Sequence, residues 1–396
     1  MSVAGDPEGP LIFLVAGEPS GDALGAALMA GLRARSNGRV RFAGVGGERM
    51  TAQGLQSLIP IQDLAVMGLA EILPRAHRIL RRISQTVAGI VALDPDAVVT
   101  IDSFGFNSRV ARRVRRRGAR MPLIHYSAPH VWAWRRGRAR RMAEWYEHVM
   151  VLLPFEPRHF EAVGLACTHV GHPVVEEGAD RGDGAAFRER HGIDRARPLL
   201  TLLPGSRVGE VRRLLPVFGA VLDRLLSRYP ALAVVVPTVG GVAGEVATAV
   251  KGWPGNPILI SDAAEKYDAF AASELAIAAS GTVALELALA GVPMIVTYRV
   301  SPLTAYLVRR LATVRFANLI NLILDRPAVP ELLQEDCTPD RIVAEAVRLL
   351  EDRAVRERQC ADLREGLERL GLGGVSPSLR AADCVLGLIA ERRAAA

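Results

Sequence analysis

Seven residues from Ala16 to Asp22, AGEPSGD, set a glutamate, a serine and an aspartate among glycines. They supply proton acceptors and a hydroxyl on an adaptable backbone. Ser20 or Asp22 suits the N-cap of a following helix, because a short polar side chain accepts from its free N–H groups. Glu18 does not, since the acid of a capping box follows the cap. A second carboxylate, Asp102 in VVTIDSFGF, stands just past an apolar run. It reads either as an N-cap or as a general base. LLPGSRVGEV, from Leu202, places Ser206 and Arg207 in a Pro–Gly turn ahead of a helical stretch. Helix-start N–H groups and a guanidinium fork both suit phosphate oxygens. ASGTVALELAL, from Ala279, offers Ser280, Thr282 and, one helical turn on, Glu286 between two leucines. A carboxylate among apolar neighbours needs a partner or a ligand, and a diol such as that of ribose can donate two hydroxyls to it. As a plain helix-surface glutamate, Glu286 would need neither.

Each of these stretches follows a short apolar run of the kind that forms strands buried on both faces. Expected strands are 11–16, 41–45, 97–101, 123–126 and 149–153, with helical patterns between them. A Gly-, Pro- and acid-rich break around GHPVVEEGADRGDGAAF reads as a linker. The alternation then restarts with PLLTLLPGS, LAVVVPT, PILIS, LAIAAS and PMIVTY, and the tail from about Thr338 is helical. Two such series predict two doubly wound α/β domains with ligands at the carboxyl ends of their strands.

The chain has 396 residues, half of them hydrophobic, with a formal charge of +7 and pI near 9.7. That balance favours anionic partners, namely nucleic acid, acidic lipid surfaces or phosphorylated substrates. Four scattered cysteines without a C-x-x-C pair fit a reducing compartment. The N-terminal residues lack the pattern of a signal peptide, and no apolar run reaches the length of a membrane span. No P-loop or G-x-S-x-G elbow is present. AGVGGER, from Ala43, mimics a dinucleotide fingerprint but carries Arg49 in place of its third glycine. The pairs His125/His130 and His169/His172 lack companion ligands at metal spacing. The segment from Val66 to Ile83 interleaves Met67, Leu69, Ile72 and Leu73 with arginines, as a membrane-interface helix or a core helix with a charged outer face would.

Six motifs, AGEPSGD, LAVMG, VWAWR, LPGSR followed by EV, ASGT followed by LE, and ELLQE, stand in the order found in lipid-A-disaccharide synthases. The chain resembles that family from about Leu11 to the tail. The resemblance implies a GT-B glycosyltransferase with two Rossmann-like domains facing a central cleft. Residues 1–175 would form the acceptor and membrane-side domain and 176–371 the UDP-sugar domain, with a helix at 372–396 packing back on the first. It also implies an inverting reaction in lipid A biosynthesis for the Gram-negative outer membrane. UDP-2,3-diacylglucosamine is joined to 2,3-diacylglucosamine 1-phosphate (lipid X), releasing UDP without a metal or cofactor. Carried over residue by residue, Asp102 and Glu18 are the catalytic candidates. Ser20, Ser206, Arg207, Ser280, Thr282, Glu286 and Asn321 are the substrate-binding ones. Val66, Met67, Leu69, Ile72 and Leu73 are the expected contacts with the cytoplasmic face of the inner membrane, where the protein would sit peripherally. A homodimer is compatible with this reading, and nucleic acid is not an expected partner. One departure stands out: the family often reads D-x-P-D-F where this chain has DSFGF, so Gly105 replaces a second acid and Asp102 remains. The rival readings are another UDP-sugar GT-B enzyme, either an epimerase or a glycosyltransferase, and an arginine-rich RNA-binding protein.

Overall fold

A computed structural model describes residues 9–64, 69–133, 137–311 and 314–395, with the side chains of 69–76, Ala263, Leu303, Leu307, Val308 and Leu311 excepted. The chain divides into two compact units. One comprises 1–173 together with 373–396, and the other comprises 174–372.

The first unit holds a six-stranded parallel sheet built from β1 (Leu11–Ala16), β2 (Arg41–Val45), β3 (Ala97–Ile101), β4 (Leu123–Tyr126), β5 (His148–Val151) and β6 (Ala166–His169), in the order β2-β1-β3-β4-β5-β6. Side chains alternate across β1, as strand geometry dictates. Ile12, Leu14 and Ala16 pack with Leu24, Leu28 and Leu32 of the helix Pro19–Arg35 and with Ala381, Val385 and Ile389 of the C-terminal helix Pro377–Ala395. Phe13 and Val15 pack on the opposite face with Ile83, Val87 and Ile90 of the helix Leu69–Leu93 and Val110 and Val114 of the helix Phe104–Arg116. The strand is apolar throughout because both of its faces are buried.

The second unit repeats the plan with β7 (Leu199–Leu203), β8 (Ala233–Pro237), β9 (Ile258–Ile260), β10 (Leu275–Ala279), β11 (Met294–Tyr298) and β12 (Glu331–Leu333). Their order is β12-β11-β10-β7-β8-β9, again parallel. Strand order reverses between β1 and β3 in the first sheet and between β7 and β10 in the second. These reversals are the places where open α/β sheets bind ligands. The strands β6 and β12, which sequence patterning did not reveal, lie at sheet edges. β6 is ACTH with no fully buried residue, and β12 has three residues, so neither carries a buried apolar run. The observed β5 starts one residue earlier and ends two residues earlier than its expected range of 149–153.

The arginine run near residue 115 is partly structural. Arg115 donates to the carbonyls of Trp145, Ala119 and Met121 and pairs with Glu147. Among the described residues, no helix is long and apolar enough to cross a membrane.

Candidate active site

In the first unit, Ala16 pairs with Ile101, so the chain leaves β1 and β3 side by side. Gly17 follows β1, and a Cβ there would lie 2.7 Å from the Cβ and Oγ of Ser103, closer than real atoms approach. The missing side chain lets the two strand exits close together. Pro19 sits in the first turn of the next helix, where its absent N–H costs nothing. Glu18 takes the N-cap position but makes no side-chain cap bond. Its carboxylate instead accepts from Ser103 Oγ at 2.9 Å. Ser20, also not a cap, donates from Oγ to Asp102 Oδ2 at 2.9 Å. The two exits are therefore cross-linked, each carboxylate to the other strand's serine.

Asp102 and Ser103 both adopt left-handed backbone angles, φ 52° and 39°. Such angles are uncommon outside glycine and cost energy that surrounding contacts must offset. Asn107 supplies those contacts. It is buried, and its Nδ2 donates to the carbonyls of Asp102 at 2.8 Å and Ile101 at 3.0 Å. The backbone N–H of Ser103 donates to Asp102 Oδ1 at 2.9 Å. Sequence reasoning missed Asn107, although an amide one turn into the helix that follows the Asp102 exit was a usable signal. Gly105, where the second acid is missing, is exposed. A Cβ there would fit without a clash, making only an ordinary contact with Arg109 Nη1 at 3.8 Å.

Asp22 corrects another expectation. It lies within the helix Pro19–Arg35, is buried, and caps a different helix. Its carboxylate accepts from the backbone N–H groups of Gly47 at 2.7 Å, Arg49 at 2.9 Å and Met50 at 3.1 Å. The fingerprint-like turn AGVGGER thus directs its amides at an internal carboxylate, which leaves them engaged where a dinucleotide would need them.

The histidines are also placed by packing. His125 is fully buried, with Nδ1 2.8 Å from Thr100 Oγ1, and burial depresses its pKa to about 3. His130 is instead solvent-exposed, its ring 5.2 Å from that of Trp132; desolvation by its neighbours lowers its pKa, while the nearby Asp102 charge opposes the shift. Trp132 of VWAWR donates from Nε1 to Glu156 Oε1 at 3.0 Å. Glu156 is 2% exposed, and desolvation raises its pKa to about 7. Among the described residues, no group of three His, Cys, Asp or Glu is arranged to hold a metal ion.

In the second unit, Ser206, Arg207, Ser280, Thr282 and Glu286 line one cavity of about 340 Å³ at the carboxyl ends of β7, β8 and β10. Gly205 turns the chain there at φ 109°, a region that favours glycine. Arg207 is exposed and bonds to Glu210 Oε1 at 2.8 Å. The same oxygen accepts from the Tyr298 hydroxyl at 3.1 Å. Burial and the neighbouring Glu210 raise the Tyr298 pKa and keep that hydroxyl protonated. Glu286 finds its partner in Lys266, whose Nζ lies 2.5 Å from Oε2 and 4.8 Å from the Tyr267 ring centre. Glu210 and Lys266 were both missed in the sequence. The signal for Lys266 was its rarity, as one of two lysines in an arginine-rich chain.

A family model described as lipid-A-disaccharide synthetase matches residues 12–372. The chain belongs to the lipid-A-disaccharide synthetase family. A relative from Rhodospirillum centenum named lipid-A-disaccharide synthase is 59% identical over 382 residues, covering 96% of this chain and 95% of that protein. Solved structures show the fold. The glycosyltransferase of kitacinnamycin has a TM-score of 0.64 at 18% identity, over 96% of this chain and all of that one. The UDP-GlcNAc 2-epimerase of Neisseria meningitidis, bound to UDP-GlcNAc, has a TM-score of 0.63 at 11% identity, over 96% and 100% of the two chains. The chain thus has the GT-B fold of two Rossmann-like units.

Not every residue carried over from the synthetase family joins these two sites. Asn321 is buried, and its amide is spent on structure. Nδ2 donates to Val329 O at 2.8 Å and Glu331 Oε1 at 2.7 Å, and Oδ1 accepts from Val329 N at 2.8 Å. It lines a separate cavity of about 560 Å³, together with Arg315, Arg348 and Arg358. Val66 and Met67 lie outside the described residues. Leu69, Ile72 and Leu73 fall in the helix Leu69–Leu93, and only their backbone is described. Further along that helix, Ile79 and Ile83 pack into the core, and Arg82 is bonded to Asp63 at 2.9 Å through Nε.

Proposed function

We propose that this chain is a lipid-A-disaccharide synthase that joins UDP-2,3-diacylglucosamine to 2,3-diacylglucosamine 1-phosphate, forming the disaccharide phosphate and UDP. The observation that carries the reading is family membership over residues 12–372. The cross-linked carboxylates at one strand reversal and the nucleotide-sized cavity at the other support it. The acceptor's 6-hydroxyl attacks the donor's anomeric carbon from the face opposite UDP, inverting its configuration. Asp102 takes the hydroxyl proton as the new bond forms. Its Oδ2 now holds Ser20, a bond the acceptor hydroxyl can replace without disturbing the Oδ1 contact that fixes the turn. Glu18 holds Ser103, and with it the Asp102 backbone. Arg207, with helix-start N–H groups, balances the charge that develops on departing UDP. Glu286 receives the ribose hydroxyls.

Both substrates carry acyl chains, so the protein works at a lipid surface. The cytoplasmic face of the inner membrane is the proposed place, with the segment beginning at Val66 and Met67 and continuing through Leu69, Ile72 and Leu73 as the contact. A mass-detected coupling assay with the two acylated sugars tests the whole reading. It should yield the disaccharide phosphate and UDP in equal amounts. UDP-sugar turnover without acceptor, and no disaccharide with it, would instead establish an epimerase.

A further inference from the structure

Thr238 is the first residue after β8, and it lines the same cavity as Arg207 and Glu286. Its backbone is fixed, since its N–H donates to Ile260 O at 2.9 Å. The residue is 8% exposed, and its Oγ1 is buried with no hydrogen-bond partner among the described residues. The other buried threonines of this unit are satisfied: Thr201 Oγ1 lies 2.7 Å from Ser273 Oγ, and Thr297 Oγ1 donates to Ala278 O at 3.2 Å. A buried hydroxyl without a bond destabilises the fold, and valine would fill the same shape without that cost. Valine is the residue at Val234, Val235 and Val236 of the same strand. The cavity's charged groups are occupied with each other, Arg207 with Glu210 and Lys266 with Glu286. The Thr238 hydroxyl is thus polar, carried on a held backbone, and free of any protein partner among the described residues.

We infer that Thr238 is a further nucleotide-binding residue, whose hydroxyl bonds an oxygen of the ligand bound in this cavity. The inference rests on the nucleotide reading of the cavity. A hydroxyl both donates and accepts, so phosphate oxygens, ribose hydroxyls and uracil carbonyls share the required chemistry.

Calorimetric titration with UDP tests it. Thr238→Val keeps the shape and removes the hydroxyl. It should weaken UDP binding about 2- to 13-fold, the range for one neutral hydrogen bond. The melting temperature without ligand should not fall, because no protein hydrogen bond is lost. Thr238→Ser should keep most of the affinity. If the valine variant fails to fold, the difference between Thr238→Ala and Thr238→Ser isolates the hydroxyl. Titrating UMP and uridine locates the bond: a penalty that persists with uridine places it on the nucleoside, and one that disappears places it on the phosphates. Equal UDP affinity of the valine variant and the parent, or of the alanine and serine variants, overturns the inference. Failure of the parent chain to bind UDP overturns the nucleotide reading itself.

Discussion

Asp102 divides its two carboxylate oxygens between its own turn and Ser20. That division makes Asp102→Asn a clean test, because asparagine tolerates the left-handed backbone and preserves the shape but not the basicity. Turnover should fall about 100-fold or more, the scale of a general base. UDP affinity should be retained, since the proposed nucleotide cavity is lined by residues of the other unit. Turnover near that of the parent would transfer the role to Glu18. Glu156 gives a second test at this scale. Folded Glu156 holds its proton up to about pH 7, whereas an unfolded chain releases it near the ordinary value of 4.5. Between these values the folded state binds more protons, so this group's contribution to stability is lost as pH rises. Glu156→Gln cannot ionise. Relative to the parent, it should gain about 1–3 kcal/mol in stability between about pH 5 and about pH 8. Parallel melting curves for the two proteins across that range would refute the assignment. What sequence made legible at the residue scale was residue type at strand exits: Glu18, Asp102, Arg207 and Glu286 each follow a recognisable run. Asn107 and Lys266 left only an oblique signal and Glu210 and Thr238 none, because the role of each depends on which groups it faces once the chain is folded.

At the scale of elements, the closeness of the β1 and β3 exits depends on Gly17. Gly17→Ala would push a methyl group into Ser103, so one exit must shift. Overpacking of this kind costs about 1–3 kcal/mol, and the shift should also separate Glu18 from Ser103. We expect a lower melting temperature and at least a tenfold loss of turnover, on the scale of displaced catalytic groups. Adding Ser103→Gly to Gly17→Ala removes the clashing atoms and suits the positive φ at that position. The double variant should regain stability while turnover stays low, because the Glu18 partner is gone. Independent, additive losses in stability would contradict the contact. The central strands were readable from apolar runs bounded by turns, since burial on both faces leaves no room for polar residues. Strands β6 and β12 escaped because ACTH holds two polar residues and no buried one, and β12 is only three residues long. Asp22 escaped in the opposite sense: its type suggested a local cap, and its partners are the amides of Gly47, Arg49 and Met50.

At the scale of the molecule, the helix Leu69–Leu93 is proposed to serve two surroundings. Its residues from Ile79 onward are anchored in the core by Ile83, Val87 and Ile90. Membrane contact is therefore assigned to the portion up to Leu73. Replacing Leu69, Ile72 and Leu73 together with serine should leave the melting curve almost unchanged and remove most binding to anionic vesicles in a sedimentation assay. A loss of several kcal/mol of stability would instead mark these positions as core. Undiminished vesicle binding by the folded variant would exclude the segment as the anchor.

The first unit is completed by a helix that follows the whole second unit in the sequence. Helix Pro377–Ala395 lies along helix Pro19–Arg35, where Gly31 leaves room for the carbonyl of Ser378, and Arg35 pairs with Asp383 at 2.8 Å. During synthesis on a ribosome, the whole stretch from 174 to 372 emerges before that helix does. The second unit can complete its core while translation continues. The first unit must wait, its Leu24, Leu28 and Leu32 face uncovered until the helix Pro377–Ala395 emerges. A nascent chain stalled before residue 373 should therefore carry a second unit whose residues are all made and a first unit still lacking its covering helix, and it is at this stage that the protein would most need a chaperone.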